Sequence, residues 1–375
     1  MFIIIFFILL LFLVPDYYIW QGFLRGQCAW YVQVMHWLPT LSVVVGIIIT
    51  IMGPRSMWMF ELIIFVLLCF ALPKVAFSML ALLRLPKVGL AVALLLAGAM
   101  VYGYTAGWKH LVTRPVTISC GDRLPAAFKG YRIVQISDLH IGTFKNDTTH
   151  LQRIVECVNA QHPDLIVFTG DIVNFHPDEI TPFKDILSQL SAPDGVVSIL
   201  GNHDYCLYAP DHTPAASRAN TEAVCQAERE IGWHLLRNEN LLIKRNASEG
   251  KDVADSIYII GVENVSKPPF PSHGDLAKSL EGVPDAAFKV LLSHDPSHWR
   301  REVVAHPSAI DLTLSGHTHA MQLRLFGLSP SRFFFKEWGG HYHEDSRHLF
   351  VCTGTGGNVP FRLGAWPQIA VLTLE

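Results

Sequence analysis

Charge is scarce in the first third of this 375-residue chain. Before Lys109 the only acidic residues are Asp16 and Glu61, and the only lysines or arginines are Arg25, Arg55, Lys74, Arg84 and Lys87. Across the whole chain charged residues reach only 16% while hydrophobic ones make up half, with a mean hydropathy of +0.31. Such a balance excludes an ordinary soluble protein and calls for a membrane segment. The seven cysteines contain no CxxC pair, so neither a thiolate zinc site nor a disulfide framework is indicated. There is no basic excess: the net charge is −3, so the composition makes no electrostatic case for nucleic acid. Internal repeats and low-complexity tracts are also missing.

What is present before residue 109 is four apolar runs. The first, Met1–Val14, is ended by Pro15 and followed by the aromatic belt Tyr17, Tyr18 and Trp20; it lacks the basic start and small-residue cleavage site of a signal peptide. Trp37–Met52, Met57–Leu72 and Val88–Tyr104 follow, with Gly53-Pro54-Arg55-Ser56 turning the second run back into the third. These runs lack the polar faces of a soluble bundle, so four membrane spans are expected over residues 1–108. Arg25, Lys74, Arg84 and Lys87 compete with Arg55 and the basic residues after 108 in setting orientation.

A linker containing a short strand-like stretch, Val116–Ser119, is expected over 109–130 and a catalytic domain over 131–375. Tyr131–Ser137 reads as a strand ending in Asp138-Leu139-His140, and Leu165–Thr169 as another ending in Gly170-Asp171. Between them, Leu151, Ile154, Val155 and Val158 form one apolar helical face. A second helix is expected with Thr181 as its cap and Pro182 at its first position, before the strand that breaks at Gly201-Asn202-His203-Asp204. This is a βαβαβ unit whose strand ends share one edge, the place where open α/β sheets put their sites. A helix is expected from Thr221 to Ile231, stopping at Gly232; further buried strands end at His294 and at Gly316-His317-Thr318-His319, and Leu349–Thr353 and Ile369–Leu374 close the sheet.

The strand ends therefore supply Asp138, His140, Asp171, Asn202, His203, Asp204, His294, His317 and His319. Carboxylates, imidazoles and one amide suit hard or borderline divalent metals, and their number is enough for two. Two ions ~3.5–4 Å apart need a bridging carboxylate between them. Asp-x-His on an extended strand would send both side chains to one ion, and His-x-His after a glycine turn one imidazole to each.

In type and order these blocks resemble the calcineurin-like metallophosphoesterases, over roughly Tyr131 to Glu375. The tail Thr353-Gly354-Thr355-Gly356 with Phe361-Arg362-Leu363-Gly364-Ala365, together with the apolar N-terminus, resembles the membrane-associated subgroup. Some of its members act as UDP-diacylglucosamine pyrophosphatases. The resemblance implies two mixed β-sheets packed as a sandwich flanked by helices, and two divalent ions (Mn²⁺, Fe²⁺ or Zn²⁺). Asp138, His140, Asp171 and His319 would hold one ion, and Asp171, Asn202, His294 and His317 the other. His203 would act on the substrate and Asp204 would orient His203. The chain departs from the pattern at Asn174, where many relatives have Asp, and at Ala320-Met321-Gln322, where Gly-Gly-Gln is common.

The expected function is hydrolysis of a phosphodiester or pyrophosphate bond in a phosphorylated small molecule or, given the anchor, a lipid. The alternatives are a tethered nucleotide or phosphoprotein phosphatase and a metal-bound sensor or scaffold without turnover. An odd number of free cysteines after Trp108 and the cytosolic location of nucleotide-linked lipids favour the cytoplasmic face of a bacterial inner membrane. The cluster Phe333-Phe334-Phe335 with Trp338 reads as core or membrane-facing packing, with an acyl-chain groove as the alternative.

Overall fold

The structure is a computed structural model that describes residues 2–52, 57–210, 212–245 and 254–375. The turn expected at Gly53–Ser56 lies outside the described residues. The chain divides into two compact units, Met1–Ala106 and Gly107–Glu375.

The first unit holds four stretches long and apolar enough to cross a membrane: Ile5–Leu24, Trp30–Met52, Trp58–Leu82 and one beginning at Pro86. Their number agrees with the sequence reading; their limits do not. Pro15 lies inside the first helix, Phe2–Ile19, rather than ending it. The third stretch continues through a π-turn at Leu67–Ala71 into Leu72–Leu82, so Lys74 belongs to a helix and not to a loop. A partner explains this. Lys74 Nζ lies 2.7 Å from the fully buried carboxylate of Asp16, which also receives the Thr40 hydroxyl, with His36 beside it. An ionisable group inside an apolar span is tolerated when it finds its counter-charge there.

The second unit is built on two six-stranded mixed sheets. Its strands are β1 (Val112–Ile118), β2 (Arg132–Ile136), β3 (Leu165–Phe168), β4 (Val196–Ser198), β5 (His234–Leu235), β6 (Glu239–Arg245), β7 (Asp255–Gly261), β8 (Phe288–Leu292), β9 (Leu312–Ser315), β10 (Gly340–Glu344), β11 (Arg347–Val351) and β12 (Gln368–Leu374). One sheet runs β1-β12-β2-β3-β4-β5 and the other β10-β11-β9-β8-β7-β6. β2 to β5 are mutually parallel, as are β11, β9, β8 and β7. Parallel neighbours bring their carboxyl ends, and the loops that follow them, to the same edge.

Alternation along the strands builds the layers. In β2, Ile133 points into the core between the sheets with Val167, Val290 and Leu314, while Val134 faces the outer layer. That outer layer includes helix Thr148–Asn159, which carries the expected face of Leu151, Ile154, Val155 and Val158. The sandwich implied by the resemblance is the fold observed.

Three local expectations are corrected. Residues 109–130 are not a plain linker, because β1 pairs in parallel with β12 along its whole length. The helix expected to start at Thr181 begins as a 3₁₀ turn, Pro177–Phe183, with Pro182 inside it. Glu179 accepts hydrogen bonds from the amides of Asn174, Phe175 and His176, a stronger start signal than the Thr181 hydroxyl. The helix expected over Thr221–Ile231 starts earlier, at Pro214, capped by the Thr213 hydroxyl.

Candidate metal centre

All nine side chains singled out from the sequence follow strands at this shared edge: β2, β3 and β4 in one sheet, β8 and β9 in the other. The backbone there is unusual. Asp138, His140, Asp171, His317 and His319 all have positive φ, between 45° and 72°. An L-residue in this left-handed region is strained, and such strain concentrates where side chains must be aimed. The convergence of Asp138 and His140 therefore comes from a tight turn, not from the extended pleat that the Asp-x-His spacing suggests.

Glycine permits the turns to approach one another. A Cβ on Gly201 would lie 2.2 Å from the Asp171 carboxylate, and one on Gly356 would lie 1.8 Å from the Leu139 carbonyl. The Gly354–Gly357 stretch is thus a packing surface for the Asp138–His140 turn. Arg362 clamps it from behind: fully buried, it donates from Nε and Nη2 to the Gly356 carbonyl and from Nη1 to that of Ala365.

Two groups of donors result, Asp138, His140, Asp171 and His319, and Asp171, His294 and His317, with Asp171 common to both. In the first, His140 Nε2 lies 3.2 Å from His319 Nε2 and 3.5 Å from Asp171 Oδ2, and His319 Nε2 lies 3.4 Å from Asp138 Oδ1. In the second, Asn202 Oδ1 lies 2.8 Å from His317 Nδ1 and 3.2 Å from His294 Nε2, which is itself 3.2 Å from Asp171 Oδ2. His294 Nδ1 donates to the Thr169 carbonyl at 2.7 Å, which turns Nε2 towards the Asp171 carboxylate and the Asn202 amide oxygen. The Asn202 amide is set by Tyr208, whose hydroxyl accepts from Nδ2 and so turns Oδ1 inward. At both places carboxylate or amide oxygens converge with imidazole nitrogens, an arrangement that needs protons or cations among its members, and the donor set fits divalent ions.

The electrostatics agree. Burial pushes Asp138 up to about 7, with Asp171 adding to it, and burial with Asp171 does the same to Asp204. Burial alone would raise Asp171 as well, yet His294, His203 and His140 hold its carboxyl well below the usual range. Burial disfavours charge on His294, but Asp171 and Asp138 together draw it up to about 10. His317 falls to about 4, chiefly by burial, and burial holds His140 and His319 well below the usual range. A buried cluster this rich in acceptors takes up protons where it lacks metal.

His203 and Asp204 part company. His203 Nδ1 bonds the Asn174 carbonyl at 2.8 Å, and its ring packs against Tyr208. The orienting contact expected from Asp204 is absent among the described residues. Its carboxylate accepts from the amides of Asp171, Ile172, Val173 and Gly201, at 2.8–3.3 Å, and ties the β3 and β4 turns together.

The site opens into a cleft of about 670 Å³. Its walls carry four cations, Lys267, Arg300, Arg301 and Lys336, and an apolar side that includes Phe270, Met321, Phe334 and Phe335. Arg300 is paired with Glu337 and Glu344. Asp295, buried next to His317, and Tyr208 escaped the sequence reading. For Asp295 the signal was its place directly after His294; for Tyr208 spacing offers none.

Comparison with known proteins agrees with this geometry. Residues 131–321 match the family model for calcineurin-like phosphoesterases. The chain is similar to a transmembrane protein with metallophosphoesterase domain from Danio rerio, at 28% identity over 68% of this chain and 55% of that protein. An uncharacterized metallophosphoesterase, YkuE, of Bacillus subtilis is 29% identical over 75% of this chain and 93% of its own length. The UDP-2,3-diacylglucosamine pyrophosphatase LpxG of Chlamydia muridarum is 26% identical over 67% of this chain and 86% of its own. The chain thus spans only about half the length of the fish protein but nearly all of the bacterial ones. The chain belongs to the calcineurin-like phosphoesterase family, joined to four helical stretches that, among the described residues, are long and apolar enough to cross a membrane.

Proposed function

We propose that the chain hydrolyses a phosphodiester or pyrophosphate bond in a lipid-linked substrate, with two divalent ions in the donor groups that share Asp171. Asp138, His140, Asp171 and His319 hold one ion; Asp171, Asn202, His294 and His317 hold the other. Bound there, the ions supply Lewis acidity that lowers the pKa of water and neutralises phosphoryl oxygens. Asp171 carries the charge that two adjacent cations require between them. His203, whose Nδ1–H donates to the Asn174 carbonyl, presents Nε2 to the leaving oxygen and, entering the step as the imidazolium, delivers the Nε2 proton and is left as the neutral Nδ1–H ring. Asp204 keeps the β3 and β4 turns in register, so that Asp171 and Asn202 stay aimed at the same place.

The cleft is the observation that favours a lipid. Lys267, Arg301 and Lys336 suit a diphosphate, and Phe270, Phe334, Phe335 and Met321 line the same space with apolar surface. A nucleotide would use the cations and leave the apolar wall wet. The similarity to a UDP-2,3-diacylglucosamine pyrophosphatase supports the same choice. The tether favours an amphiphile held in the same bilayer.

A direct test uses the full chain in detergent with Mn²⁺, assayed against phospholipids, UDP-sugar lipids and free nucleotides. Turnover concentrated on the diphosphate lipids is expected. Comparable turnover of the corresponding free nucleotides would replace this reading with that of a tethered nucleotide phosphatase.

A further inference from the structure

The segment after β9 carries more exposed apolar surface than a soluble domain tolerates. Phe326 is fully exposed, Phe333 82%, Phe334 74%, Leu328 55%, Met321 49% and Leu325 43%. Singly, such residues need no explanation; six within fourteen positions form a patch that marks an interaction surface. The rest of the segment is well anchored: Ser329 and Ser331 are buried, with hydroxyls bonded to the Ala320 and Thr318 carbonyls. The apolar side chains are thus held out from a fixed base.

The tip is built to present phenylalanine. Leu325 and Leu328 exchange amide–carbonyl hydrogen bonds at 2.9 Å in both directions, closing a two-residue turn over Phe326 and Gly327. Both central residues have positive φ, 51° and 81°, the geometry of a type I′ turn. Asn or Asp normally takes the first of these positions. Phenylalanine there bears both the strain of the left-handed backbone and full exposure to water, and neither has a return within the domain.

We propose that the 321–334 segment inserts its apolar side chains into the bilayer surface, at the mouth of the catalytic cleft. Three observations select a bilayer as the occupant. The chain carries four apolar spans, so a bilayer is always within reach of the domain. The patch is interleaved with cations: Arg332 and Lys336 are exposed, and Arg324 lies over the Trp338 ring. Apolar tips with basic flanks are what an anionic lipid surface binds. Lastly, Met321 and Phe334 belong both to the patch and to the cleft wall, so the patch borders the site. The inference deepens the lipid-substrate reading by bringing an amphiphile's bilayer to the mouth of the site, but its test needs no turnover.

The full chain is reconstituted in nanodiscs of phosphatidylethanolamine and phosphatidylglycerol, with Phe326→benzoylphenylalanine or Phe333→benzoylphenylalanine as a photocrosslinker. The same crosslinker at exposed Gln226, in helix Pro214–Glu230, is the reference. Irradiation is expected to give phospholipid adducts at 326 and 333, identified by mass spectrometry, and only background at 226. Adding Phe333→Asp should cut the adduct at 326 by about tenfold, because it removes an anchor and adds a repelled charge. Equal yields at 326 and 226, an adduct insensitive to Phe333→Asp, or a crosslink to a second copy of the chain would each overturn the proposal. Adducts from a protein that hydrolyses no lipid would sink the substrate reading and leave the inserted surface standing.

Discussion

Two buried clusters of ionisable side chains, one in each unit, carry opposite lessons. Asp16, Thr40, His36 and Lys74 close on themselves: an acid meets a base at 2.7 Å, and the hydroxyl and imidazole add to the same carboxylate. Nothing further is required for neutrality. In the metal centre, two buried carboxylates, Asp138 and Asp171, meet four imidazoles with no lysine or arginine among them, and burial forces Asp138 and the neighbouring Asp204 toward protonation. A cluster that supplies its own counter-charge is a clasp. One that collects lone pairs is a receptor for cations.

The largest effect should come from the carboxylate that serves both donor groups. Asp171→Asn is expected to abolish hydrolysis and to release more than one metal per chain by elemental analysis. Full metal content in that variant would sink the two-ion assignment. Asp204→Asn should lower both metal content and thermal midpoint, because an amide nitrogen would then face backbone amides. It should not mimic the loss of His203.

His203 tests the same cluster from its other side, as a group that lines the cleft and lies outside both donor groups. His203→Ala is expected to keep both metals and to lose about 10²–10⁴-fold in rate on a poor leaving group. A nitrophenyl ester departs without a proton and should suffer much less. Equal losses on both substrates would make His203 a phosphate ligand instead of an acid.

Most of the metal centre could be read from the sequence because its logic is local: an apolar run, a glycine, then donors. What escaped was set by distant partners. Asp204 follows His203 and so suggests a dyad, yet its acceptors are spent on amides from two strand ends. Arg362 is one arginine in a glycine-rich tail until its burial against Gly356 is seen. β1 contains Pro115 and alternates with exposed residues, so nothing local marks it as a partner of the last strand. In the apolar unit, Lys74 looked like a loop residue because its counter-charge lies 58 positions away. The left-handed backbone at Ala320 and Met321, at φ 50° and 45°, is one that glycine adopts more readily, which fits the Gly-Gly-Gln expected there from the family resemblance, but only once the turn is known.

The clasp should respond to substitution in the opposite manner to the receptor. Asp16→Asn leaves Lys74 without its counter-charge and should cost about 3–5 kcal/mol of stability, with metal content unchanged. Combining Asp16→Leu with Lys74→Met should recover much of that loss, since a charge pair replaced by apolar groups leaves nothing unpaired. The thermal midpoint in detergent reports both. A double variant as unstable as the single one would mean that the pair does more than neutralise itself.

Glu228 sharpens the comparison, for it is a buried acid that, among the described residues, has no ion pair and belongs to neither donor group. It is fully buried in helix Pro214–Glu230, within hydrogen-bond reach of the Ser198 hydroxyl. Burial, reinforced by the Asp204 charge, holds its carboxyl well above the ordinary value of 4.5. The folded protein therefore keeps this proton at a pH where the unfolded chain has released it. Stability from this group is greatest below the unfolded pKa and is lost as pH rises from about 4.5 towards the raised folded value. Glu228→Gln has nearly the same shape and no proton to lose. It should raise the thermal midpoint at pH 8 by a few degrees, roughly 1–2 kcal/mol, and the gain should shrink as pH falls towards 5. A gain independent of pH would mean that packing, not protonation, sets the cost of this residue.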